Sequence, residues 1–69
     1  MKLNKPWEQH MVSLPETSMG YQKVIVTLKD GQTLEGTVAE SNILYAHTET
    51  IRFTIEDIAD IQLDPRFKL

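Results

Sequence analysis

From Tyr21 to Leu63 apolar and polar residues alternate with a period close to two, the signature of half-buried strands. Val24, Val26 and Leu28 alternate with Ile25, Thr27 and Lys29, predicting a first strand over about 21–29. Leu34, Gly36 and Val38 alternate with Thr33, Glu35 and Thr37 and predict a second. The stretch SNILYAHT predicts a third, with Ile43 and Tyr45 on one face and Leu44 and Ala46 on the other. IRFTI predicts a fourth, aligning Ile51, Phe53 and Ile55 opposite Arg52 and Thr54. A tight link at Glu56–Ile58 leads to a fifth, ADIQL, with Ala59, Ile61 and Leu63 aligned, and Pro65 starts a tail. The units expected are therefore an N-terminal arm and connector (1–20), a β domain (21–63) and a tail (64–69).

The first turn can be specified further. Residues opposed across antiparallel strands share a face. A two-residue loop at Asp30-Gly31 would set Val26 opposite Glu35 and mix the faces. A three-residue loop, Lys29-Asp30-Gly31, pairs Val26 with Leu34 and Val24 with Gly36 and keeps the apolar face intact. That geometry closes on a left-handed residue, the place for Gly31. Gly36 then lies inward, where a missing side chain lets the strand bend and a neighbouring backbone come close. Five short strands with one bent in the middle predict a small closed barrel, because a flat uncovered sheet would leave too much apolar surface wet.

Before Tyr21 the period differs. Pro6 suits the first turn of a helix, with Asn4 a cap. Trp7, Met11 and Leu14 fall on one helical face, and Pro15 ends it. The reading is a helix of about two turns, with an irregular arm anchored by Trp7 as the alternative.

The chain has 69 residues and no cysteine, so one small core forms without disulfides or thiolate metal sites. His10 and His47 lie far apart, which disfavours a structural metal, and no cofactor is expected. Self-association is left as the extra source of stability. The net charge of −3 is carried by the second half, and the basic footprint of a phosphate-backbone binder is missing. No apolar run approaches the roughly 20 residues that span a bilayer, and Lys2 and Lys5 precede no secretory stretch. A soluble, cytoplasmic protein is expected.

VIVTLKDGQTLEGTV resembles the first motif of the Sm and Sm-like proteins, and FTIEDIADIQL is similar to the second in its apolar spacing. The likeness covers about residues 21–63. It implies an all-β, strongly bent five-stranded Sm-like (SH3-like) barrel with a short N-terminal helix or arm. It also implies a homo-oligomeric ring of about five to eight subunits, in which the fourth strand of one subunit pairs with the fifth of the next. Ile51, Phe53, Ile55, Ile61 and Leu63 would then form the subunit interface, closing edges that IRFTI and ADIQL otherwise leave open.

The family's RNA pocket carries an aspartate six residues beyond the strand glycine and an asparagine four further on; Asn42 and Ala46 stand there in this sequence. Glu56-Asp57 stands where Sm-like proteins carry Arg-Gly, and acids repeated around a pore repel phosphate. Asn42 to read a base edge, Tyr45 to stack a base and Arg52 to meet phosphate remain the nucleic-acid candidates. A turn asparagine, a packed tyrosine and a solvated arginine are the plainer roles. Glu56, Asp57, Asp60 and Asp64 read as a solvated rim rather than a cation site. His47 and Glu49 lack a nucleophile or third group, so no enzyme is expected. Two functions follow: a ring that binds RNA or single-stranded nucleic acid through a divergent site, or a structural or adaptor ring that binds proteins without nucleic acid.

Overall fold

Asn4 opens the first helix as its sequence requires. Its side-chain oxygen accepts the Trp7 N–H at 3.3 Å, and Pro6 occupies the first turn, where a missing N–H costs nothing. Helix α1 runs Lys5–Val12, followed by strands β1 (Tyr21–Leu28), β2 (Thr33–Ala39), β3 (Ile43–Ala46) and β4 (Ile58–Leu63). Single 3₁₀ turns lie at Ile55–Asp57 and Pro65–Phe67. The structure, a computed structural model, describes residues 1–15 and 20–67. Most of the expected connector at 15–20 and the last two tail positions lie outside the described residues.

The strands form one open antiparallel sheet of order β3-β2-β1-β4. The expected three-residue turn is present: Val24 faces Gly36 and Val26 faces Leu34. The Gly31 N–H reaches the Leu28 carbonyl at 2.9 Å, with Gly31 at φ +94°. Asp30 finishes the turn. Its carboxylate accepts the Gln32 N–H at 3.0 Å and the Gln32 side-chain amide at 2.7 Å, which together hold its pKa below the usual carboxylate range.

One face of the sheet is the core. Val24, Val26, Leu28, Leu34, Val38, Leu44, Ile58 and Ile61 are buried with Met11 of α1 and Leu3. Each such side chain stabilises the fold by about 1.5–3 kcal/mol relative to leaving it in water. Trp7, Leu14, Ile51, Phe53, Ile55 and Leu63 pack around this cluster, half-buried. Gln22 is the polar intruder at an inward position, only 2% exposed. Its amide donates to the carbonyls of Met11 and Leu14, both at 3.0 Å, and so ties the end of α1 to β1.

The fold differs from expectation at the fourth strand. Residues 51–54 belong to no strand, and Ile55 already enters a 3₁₀ turn. The reason is competition for an edge. Beside β3, where a fifth strand would pair, the chain has placed residues 1–3. The Leu44 N–H reaches the Met1 carbonyl, and the Leu3 N–H reaches the Asn42 carbonyl, both at 2.7 Å, around a Lys2–Ile43 bridge. The result is a four-stranded open sheet rather than a five-stranded closed barrel within one chain.

Gly36 is buried, and its role is close approach. A Cβ there would meet Leu44 Cδ1 at 3.0 Å and the Tyr45 carbonyl oxygen at 3.1 Å. The second contact is backbone, so β3 itself would have to shift. Gly36→Ala is expected to destabilise the fold by about 1–3 kcal/mol, read as a lower midpoint in urea denaturation; an unchanged midpoint would show that β3 is not clamped there.

Candidate assembly edge and exposed sheet face

Two surfaces of the sheet could support function: the outer edge of β4 and the face turned away from the core. Register settles which groups point outward along β4. The Asp64 N–H donates to the Lys23 carbonyl at 2.9 Å, and Val26 faces Ile61. Hydrogen-bonded pairs alternate with non-bonded pairs in an antiparallel ladder. The backbone groups of Ile61 and Leu63 therefore point away from β1. At Ala59 the strand carries an extra residue, since Thr27 faces Asp60 while Leu28 faces Ile58.

Two side chains occupy the middle of this edge. His10 of α1 places Nε2 2.7 Å from the Ile61 carbonyl oxygen and donates to it. Its ring is braced edge-on by Trp7, with centroids 5.4 Å apart. The Asp60 carboxylate accepts the Ile61 N–H at 2.9 Å and the Gln62 side-chain amide at 2.6 Å. Alongside runs an open cleft of about 670 Å³ between the end of α1 and β4, lined by Leu14, Pro15, Ile61, Leu63 and Pro65 among others.

The five expected interface residues divide. Ile61 is fully buried, so its side chain belongs to the chain's own core. Ile51, Phe53, Ile55 and Leu63 are half-buried and share their surface between that core and the exterior.

The outward face carries Tyr21, Lys23, Thr37 and Tyr45, the last three in one row across β1, β2 and β3. Tyr45 is 55% exposed, Phe67 46% and Tyr21 38%. Lys23 Nζ donates to Thr37 Oγ1 at 3.2 Å and lies 5.4 Å from the Tyr21 ring and 5.9 Å from the Phe67 ring. His47 Nε2 meets the same hydroxyl at 2.7 Å. Arg66 stacks near Phe67 at 5.6 Å, but its guanidinium is claimed by two carboxylates, Asp64 at 2.7 Å and Glu35. Charge on this face is thereby nearly balanced.

The structure does not bring the three nucleic-acid candidates together. Asn42 closes the turn after β2, where Glu40 and Ser41 adopt φ +55° and +63°. Its backbone serves Ala39 and Leu3, and its side-chain Oδ1 is buried without a partner among the described residues. Arg52 sits at the other end of the β1–β2 hairpin, in a cleft of about 240 Å³ with Lys29, Asp30 and Asp57. About six strand residues separate the two ends, roughly 20 Å. Tyr45 alone belongs to the exposed aromatic face. Asp57 of the acidic pair is tied down, its carboxylate accepting the Thr54 N–H at 2.7 Å and its carbonyl the Lys29 N–H at 2.8 Å.

Comparison with family models, curated proteins and solved structures finds no match to this chain.

Asp64 depends on one cation. It is 2% exposed, while Arg66 is largely in solvent. Truncating Arg66 to Ala removes the guanidinium and leaves the carboxylate the residue 66 backbone N–H at 3.0 Å, and this, with the exposure of the arginine, limits the loss to about 1–2 kcal/mol. Urea denaturation of Arg66→Ala should show that loss and Arg66→Lys a smaller one; equal stability of all three would remove the pairing from the fold's support.

Proposed function

We propose that this protein is an assembly module of Sm-like design, a non-catalytic subunit that completes its sheet with a second copy and forms a homo-oligomeric ring of about five to eight subunits. The observation carrying this reading is the segment 51–54, which joins no strand of its own chain although Ile51 and Phe53 are half-buried. The strand order β3-β2-β1-β4, with Gly36 beneath β3, agrees with a divergent Sm-like subunit. Such a ring would be a structural or adaptor platform in the cytoplasm, binding proteins. The acidic second half and the engagement of Asp57 within its own turn favour that role over phosphate binding. Light scattering before and after nuclease treatment tests it. A discrete species several times 7.9 kDa, insensitive to nuclease, is expected; a single 7.9 kDa species up to high micromolar protein would end the reading. Phe53→Asp should dissolve the ring or unfold the subunit, and an intact ring would place the pairing strand elsewhere.

A second reading, RNA or single-stranded nucleic acid on the outward face, is favoured by the grouping of exposed Tyr21 and Phe67 around Lys23, with exposed Tyr45 in the same row beyond Thr37. Base stacking on such a ring is worth about 1–3 kcal/mol. Titration with short U-rich and A-rich RNAs at low salt should then show binding that Tyr45→Ala weakens about tenfold. Silence at high micromolar protein excludes it.

A further inference from the structure

We infer that His10 and Asp60 are guards on the β4 edge, restraining its pairing with a second copy of the chain. The inference rests on the assembly reading and adds a control to it. An open strand edge offers unpaired N–H and C=O groups to any passing strand, and soluble proteins blunt such edges with charges, bulges or covering helices. All three devices meet on β4. Ala59 bulges opposite the Thr27–Leu28 step, α1 sends His10 across the edge, and Asp60 folds its carboxylate back onto the backbone.

The target of the guards is specific. Ile61 is the residue whose outward donor and acceptor a neighbouring strand would need, and both are taken, the N–H by Asp60 Oδ1 at 2.9 Å and the carbonyl by His10 Nε2 at 2.7 Å. Trp7 holds the imidazole in place, and Gln62 holds the second carboxylate oxygen. An incoming strand must break two formed hydrogen bonds before making its own. It exchanges like for like, so the edge pairs only when other contacts, such as an apolar row seated in the adjoining cleft, supply the surplus. Leu63 points its backbone the same way with no such guard among the described residues, and is the position at which pairing would begin. The guards therefore set a concentration threshold for assembly rather than forbidding it.

The test compares the self-association of the full chain, His10→Ala, Asp60→Ala and the double variant by sedimentation equilibrium, with circular dichroism confirming the fold. Each single change is expected to tighten association about tenfold, the equivalent of one displaced hydrogen bond, and the double variant more. Asp60→Asn keeps an acceptor and should stay near the parent. A folded double variant that associates no more tightly than the parent overturns the inference. If the parent already forms a ring that the variants leave unchanged, the guards fail and the assembly reading stands. If the variants gain mass only as open chains or dimers, the guards stand and the ring fails. Should the variants not fold, amide exchange on the dilute parent decides: Ile61 should exchange more slowly than Leu63, and equal rates would show that the edge is unguarded.

Discussion

The contact between Gly36 and β3 governs how the rest of the chain is placed. Leu44 Cδ1 and the Tyr45 carbonyl lie where a side chain on residue 36 would have stood, and this close approach lets Leu44 enter the core beside Val24. It depends on register, which the Lys29-Asp30-Gly31 turn sets by placing Gly36 opposite Val24. With β3 so fixed, its outer edge takes up residues 1–3, and Leu3 turns into the core. Asn4 then starts α1 at once, and one face of α1 lies over the sheet with Met11 buried. The end of the helix is caught by Gln22, and His10 arrives at β4. A turn at residue 31 thus influences which groups remain open at residue 61.

Edges are the recurrent problem of so small a sheet, because a four-stranded sheet has two and a 69-residue chain has little with which to cover them. This chain treats them differently. The β3 edge receives backbone from residues 1–3, a Lys2–Ile43 bridge flanked by two backbone hydrogen bonds. The β4 edge receives side chains at Ile61. Backbone pairing over several residues is cooperative and demands a whole segment to undo it; two side-chain hydrogen bonds can each be released by a rotamer change. The asymmetry makes β4 the edge more open to exchange.

Much of this was legible in the sequence where local chemistry decides structure. The cap at Asn4, the helix it starts, the three-residue hairpin and the inward row of β1 and β2 all follow from residue types at fixed offsets. What was hidden depends on distant parts of the chain. Nothing in MKL advertises a strand, since three residues acquire that role only when β3 offers an edge. IRFTI alternates as a strand should, yet alternation describes faces and cannot supply a pairing partner. Gln22 drew no sequence expectation, because its task depends on where α1 ends. Asn42 and Arg52 looked like members of one pocket because sequence spacing does not tell which end of a hairpin a loop occupies.

The placement of residues 1–3 bears directly on how a closed assembly could form. In a barrel closed within one chain, the segment after β3 would fold back along β3. That position is filled, so residues 51–54 join no strand and lie on the rim of the core, with the side chains of Ile51 and Phe53 packed against it and the backbone of Thr54 tied to Asp57. The backbone groups of residues 51–53 need partners or water, and their apolar row favours a place where water is scarce. A neighbouring β4 meets both requirements, because its outward groups at Ile61 and Leu63 are spaced for an antiparallel or parallel ladder and an apolar cleft runs beside it. The same geometry would limit how tightly copies adhere in the proposed assembly. Segment 51–54 is already partly buried at home, so moving it onto a neighbour removes less fresh apolar surface from water than its composition implies. Association would then lean on the ladder itself, and a ladder that must first displace His10 and Asp60 would yield a modest net gain per contact. Closure into the proposed ring would answer that weakness, since in a closed ring no subunit leaves without breaking two contacts at once.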